Sequence, residues 1–156
     1  MEMVLKLKLT LTLSFKDAME IASAALTKLE EDGKEANICV VNKYGRPLVR
    51  LYMDNTRRAT ANIALKKAKL SSKTGYRTGY LQSAFDNHEN GLSPSLLGIK
   101  EKNLVPYAGG VPIYVESEGE KYLIGGMGIS NLSEKEDEKY AIVAVETSDK
   151  FSSDRK

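Results

Sequence analysis

The chain holds one histidine, His88, and one cysteine, Cys39, so few residues are available for metal binding or nucleophilic catalysis. One imidazole and one thiol fall short of the ligand sets that hold zinc. His88 lies in Asp86-Asn87-His88-Glu89-Asn90, where it could act as an axial ligand to haem iron or as a proton shuttle, and where it also reads as a plain polar loop residue. Tyr76, Tyr80, Tyr107 and Met127 are the chemically allowed substitutes as donors to iron. Cys39, within Ile38-Cys39-Val40-Val41, reads as a buried strand residue with no disulfide partner. Two glycine clusters, Gly109-Gly110 and Gly125-Gly126-Met127-Gly128, imply close approach of another group or left-handed torsions. Their amides, near Lys67, would suit an anionic group; a strand packed tightly under a helix or a second subunit explains them without any ligand. The second cluster lacks both the Lys-Ser/Thr ending of a P-loop and Gly-x-Gly-x-x-Gly spacing, and no glycine follows Ser130 as in a nucleophile elbow. With no assembled nucleophile and base, the sequence leans away from independent catalysis.

Positioning these residues requires a folded core, and 156 residues suffice for a single domain spanning 1–156 without disulfides or metals. Basic and acidic residues, 23 and 21, are interspersed to a net charge of +2, so no nucleic-acid footprint stands out. The N-terminal stretch has alternating polarity in place of a continuous apolar run, unlike a signal peptide or membrane span, and a cytoplasmic protein is expected.

Leucines at every second position from Leu5 to Leu13 predict a strand within residues 1–13, with one buried face and a role in subunit pairing or in covering its own core. Ser14 with Asp17 then predicts a helix whose apolar stripe runs Ala18, Ile21, Ala22, Ala25, Leu26, Leu29 and which stops at Gly33. Ala36–Val41 and Pro47–Met53 read as a hairpin. A helix capped within Asp54–Thr56 should run to about Lys73 and end at Gly75, with Ile63, Ala64, Ala68 and Ser71 inward; its basic run of Arg57, Arg58, Lys66, Lys69 and Lys73 could meet an acidic ligand or phosphate, but without an aromatic stacking stripe it reads first as a solvated face. Residues 76–105 form a long connection with short helices expected at Thr78–Phe85 and Pro94–Ile99. Val111–Glu116 and Lys121–Ile129 make a second hairpin about Ser117-Glu118-Gly119-Glu120. Ser133 and Glu136 form a capping box for a last helix burying Tyr140, Ala141, Ala144 and Val145, and the tail 152–156 should fray. Helices and hairpins in this order define an α+β fold.

Several segments in this order resemble the GlcG/HbpS family, which includes the C-terminal domain of PduO-type cobalamin adenosyltransferases. Gly109-Gly110-Val111-Pro112 looks like that family's Gly-Gly-Val-Pro, and Gly125 to Ser130 is similar to its Gly-Ala-Ile-Gly-Val-Ser. Asn62 to Ala68 resembles its helix with a Lys-Ala pair, Met53-Asp54 its Met-Asp, and Thr78 a threonine following that helix. The chain departs at Asn131, where the family has glycine, at Glu136-Asp137 in place of Gln-Asp, and at Asn42-Lys43-Tyr44-Gly45 in place of Asp-x-x-Gly. The resemblance implies a profilin-like antiparallel sheet of about five strands with helices on both faces, assembled as an even-numbered homo-oligomer. It also implies a tetrapyrrole ligand, haem first, on a surface made by the long loop and the glycine hairpin. His88, Thr78, Gly109, Gly110, Gly126, Gly128, Ser130 and Lys67 are the site candidates, His88 being the axial one. Two rivals stand beside it: an accessory or enzyme subunit binding a small anionic metabolite or cobalamin-related ligand, and a ligand-free interaction module. None of the three readings involves nucleic acid or a membrane.

Overall fold

A computed structural model describes residues 11–156. The expected N-terminal strand falls mainly outside the described residues; at its end, Leu13 is buried and its amide donates to the Ile124 carbonyl at 3.0 Å. The Ser14 hydroxyl accepts from the Asp17 amide at 3.1 Å and opens α1 (Phe15–Glu31), which buries Ala18, Ile21, Ala22, Ala25 and Leu29. β1 (Asn37–Asn42) and β2 (Pro47–Tyr52) follow as the first hairpin. α2 (Arg58–Thr74) ends at Gly75, whose φ of 76° needs no Cβ.

α2 starts without the side-chain cap expected from Asp54–Thr56. Thr56 instead donates its hydroxyl to the Met53 carbonyl, and the Arg57 amide is taken by the Asn131 side chain at 3.0 Å. A contact from a distant turn replaces the local cap. α3 (Thr78–Asp86) matches the first short helix expected in the long connection. Pro94–Ile99 forms turns rather than the second, and single 3₁₀ turns occur at Glu89–Gly91 and Glu101–Asn103. The connection is ordered by its own apolar cluster of Leu70, Leu81, Phe85, Ile99 and Val105.

β3 (Gly110–Ser117) and β4 (Glu120–Ser130) form the second hairpin. Glu118 and Gly119 make its two-residue loop with φ of 52° and 79°, the torsions of a type I′ turn. Ser133 accepts from the Glu136 amide and caps α4 (Glu134–Glu146), which buries Tyr140, Ala141, Ala144 and Val145 as expected. The tail does not fray at Ser152: β5 (Phe151–Ser152) pairs with β3, Ser153 is buried, and Arg77 donates to the Ser153 hydroxyl at 2.9 Å. Two strand residues and one anchored serine were too short a pattern to stand out in a polar tail.

The five strands form one antiparallel sheet in the order β2-β1-β4-β3-β5. Side chains on β1 alternate between faces: Ile38 and Val40 join α1 and α4 in the main core, while Cys39 and Val41 meet Ala64 and Ala68 of α2. Helices therefore cover both faces, as an α+β fold with an open sheet requires.

Candidate functional site

Five of the residues singled out in the sequence meet where α2 crosses the ends of β3 and β4. Lys67 points inward from α2, with its side chain 2% exposed, and donates to Asp137 Oδ2 at 3.0 Å and to the Ile129 carbonyl at 2.9 Å. Asp137 Oδ1 accepts from the Leu132 amide at 3.1 Å. Gly109, at φ 124°, lies against this pair, and a Cβ there would come within 2.6 Å of Lys67 Nζ and 2.7 Å of the Ile129 oxygen. The next residue, Gly110, donates its amide to Thr78 Oγ1 at 3.0 Å, and its Cβ would meet the Lys67 carbonyl and Thr78 Cγ2, each at 2.6 Å. Ser130 donates to the Thr60 carbonyl, and its oxygen accepts from Asn37 Nδ2 at 3.4 Å. Asn37 Oδ1 is buried with no partner among the described residues. Over this junction opens a cleft of about 540 Å³, lined by Arg57, Thr60, Tyr107, Ser130, Asn131 and Glu134 among others.

Burial dominates the electrostatics. It pushes the Asp137 carboxyl up to about 6 against the opposing attraction of Lys67, and it lowers Lys67 from its ordinary value against the attraction of Asp137. The ammonium is neutralised where it stands, so the glycine segments and Lys67 do not present an open anion receptor. Gly126 and Gly128 sit apart from this cleft, beneath α2: a Cβ on Gly126 would lie 2.7 Å from the Ser72 amide nitrogen, and one on Gly128 would lie 2.8 Å from that of Ala68. Helix backbone fills the space that a ligand would need.

His88 is not among the residues gathered there. Thr78 opens α3 and His88 follows its far end, so eight helical residues, about 12 Å of rise, and Asn87 separate them. His88 is exposed, at φ 49°. The loop it belongs to borders a different cleft, of about 530 Å³, whose lining includes Tyr76, Arg77, Tyr80, Glu89, Pro112 and Arg155. The Tyr76 and Tyr80 rings stack at 5.2 Å and 29°, and the Arg155 guanidinium lies 4.7 Å from the Tyr76 ring centre. Desolvation and then Glu89 raise the Tyr80 phenol above its ordinary value, which keeps it protonated. Met127 is fully buried in the main core, away from any donor role, while Tyr107 lines the first cleft. Among the described residues no three His, Cys, Asp or Glu side chains gather as a metal site. Nor is any helix among them long and apolar enough to cross a membrane.

A planar tetrapyrrole asks for flat apolar cover, cations for its carboxylates and a donor to the metal. The second cleft offers the first two, with stacked tyrosines and with Arg77, Arg155 and Lys156 on its walls beside Asp154 and Glu89; His88 precedes Glu89 in the chain but does not itself line the cleft. Asp137, Tyr107, Thr60 and Asn131 are among the residues of the first cleft that sequence reasoning did not bring together. Asp137 pairs with a lysine 70 residues away in the chain, which leaves no local signal.

An open antiparallel sheet with α2 on one face, α1 and α4 on the other, and the Lys67–Asp137 junction at one end defines a class of small α+β domain. The chain belongs to the HbpS-like family of haem-degrading proteins, whose family model matches residues 13–146. Among solved structures it is similar to a double mutant of Streptomyces reticuli HbpS, at 26% identity and TM-score 0.75, covering 91% of this chain and 90% of that one. It is also similar to Klebsiella pneumoniae ORFY, at 23% identity and TM-score 0.75, covering 92% and 95%. The protein in a PduOC:heme complex shares 24% identity at TM-score 0.74, covering 92% and 99%. No curated protein matches the chain significantly.

Proposed function

We propose that this chain is a haem-binding protein of the HbpS type, cytoplasmic and working as an even-numbered homo-oligomer. The observation that carries the reading is the family match over residues 13–146; the likeness to a chain solved as a heme complex agrees with it. In this reading Tyr76 and Tyr80 would cover a bound tetrapyrrole, Arg77, Arg155 and Lys156 would hold its carboxylates, and His88 would be the donor to its iron. Bound haem would supply a redox-active iron; the chain's own part is to shield one face and fix the carboxylates. Of the other candidates, Thr78 is the one tied to this site through the fold. Thr78, held by the Gly110 amide, fixes the start of the helix that carries Tyr80 and leads to His88. Phe15 and Met19, exposed on the outer face of α1, supply apolar surface for pairing of subunits.

The experiment is the absorbance spectrum of the haemin-loaded protein and of its His88→Ala and Tyr80→Ala variants. Loss or displacement of the Soret band in His88→Ala, with weakened binding in Tyr80→Ala, is the expected result. Spectra unchanged in both variants would remove this cleft from the account.

A further inference from the structure

A third cleft, of about 600 Å³, is walled by α2, the turn joining β1 to β2, and the Ile99–Asn103 segment. Lys66, Lys69 and Lys73 project into it from one helix face at i, i+3 and i+7, and Lys43 enters from the turn. Among the described residues no acidic side chain lines it, although acidic and basic residues are nearly equal in number over the chain, 21 against 23. Glu101, two residues before Asn103, does not line it. Among the described residues Lys43, Lys66 and Lys69 make no ion pair with any carboxylate, while Lys73 donates to the Gly98 carbonyl at 2.7 Å and braces the far wall. Tyr44 is 70% exposed at the rim, with Lys43 Nζ 5.4 Å from its ring centre, and Leu70, Ile99 and Leu123 give the cleft an apolar side.

We propose that this cleft binds a small phosphorylated organic compound carrying two or more negative charges. Like charges held around one concavity repel, and a multiply charged anion relieves that repulsion in proportion to its charge. Phosphate oxygens accept from several ammonium groups at once, and lysine serves as a mobile point charge for them. The concavity admits one compact ligand with a small organic part beside Leu70 and Tyr44; the lysines ring a pocket and do not trace the stripe a nucleic-acid backbone follows. Lys67, on the same helix, is excluded from this role because Asp137 already neutralises it.

The test is calorimetric titration of the full chain with inorganic pyrophosphate as probe, at about 50 and about 200 mM salt. The site predicts saturable binding at one probe per chain, weaker at the higher salt. Lys66→Gln/Lys69→Gln, two exposed changes that leave the fold intact by circular dichroism, should lower affinity on the order of tenfold or more, while Lys135→Gln/Lys139→Gln on α4 should not. Absence of saturation, an unaffected Lys66→Gln/Lys69→Gln variant, or equal losses in both double variants would overturn the proposal, the last by showing only diffuse charge. Because the probe is not a tetrapyrrole, its outcome is independent of the haem reading.

Discussion

Lys67 and Asp137 meet 3.0 Å apart with almost no exposure, so each depends on the other for compensation. Removing one partner leaves a buried charge. Asp137→Ala should lower the free energy of unfolding by about 3 kcal/mol or more in urea titration at pH 7.5, whereas Lys67→Met/Asp137→Leu should recover most of that loss. The pH dependence has a definite sign. Burial raises Asp137 to about 6 from its ordinary 3.8, so between those values the folded chain keeps a proton that the unfolded chain has released. This carboxyl therefore favours the folded state most below about pH 4, and its contribution declines as pH rises to about 6. In Asp137→Ala that decline should be absent from stability measured across the same window; an identical slope in both proteins would show that another group titrates. At this scale the sequence disclosed half of the pair. Lys67 was visible as a polar residue beside glycines, but the role suggested by those amides was anion binding, because its partner lies 70 residues away and ion pairs across elements leave no periodic mark.

The helix α2 rests directly on the glycines of β4, and that approach is what Gly126 and Gly128 permit. Gly128→Ala should cost about 1–3 kcal/mol by forcing the Ala64–Ala68 turn away from the sheet, measured as a fall in the urea midpoint. An unchanged midpoint would mean that the helix yields freely. The β3–β4 turn offers a change of opposite sign: Glu118 holds φ of 52°, a torsion that asparagine tolerates better, so Glu118→Asn should raise stability by a few tenths of a kcal/mol up to about 0.5. Elements with a cap and a clear period, such as α1 after Ser14 and α4 after Ser133, were legible within a residue or two. The start of α2 was not, since its first amide is held by Asn131 from 74 residues away. Pro94–Ile99 carried a proline at a helix-like start but no apolar stripe, and it settled into turns.

Across the whole molecule, the order of hairpins and helices was enough to indicate the α+β architecture and the family, while the grouping of candidate residues into separate clefts was not. His88 and Thr78 are ten residues apart in sequence, yet a straight helix puts them at different sites. Lys66, Lys69 and Lys73 are exposed, as a solvated face requires; what the sequence did not show is that the Lys43 turn and the 99–103 segment flank them. Tetrapyrrole binding at the tyrosine-lined cleft is the function proposed for the whole molecule. Titration of the purified protein with haemin, followed by absorbance, tests it most directly. The account predicts a Soret shift that saturates at one haem per chain or per pair of chains; absorbance that climbs without an end-point, as for haemin adsorbed on apolar surface, would contradict it.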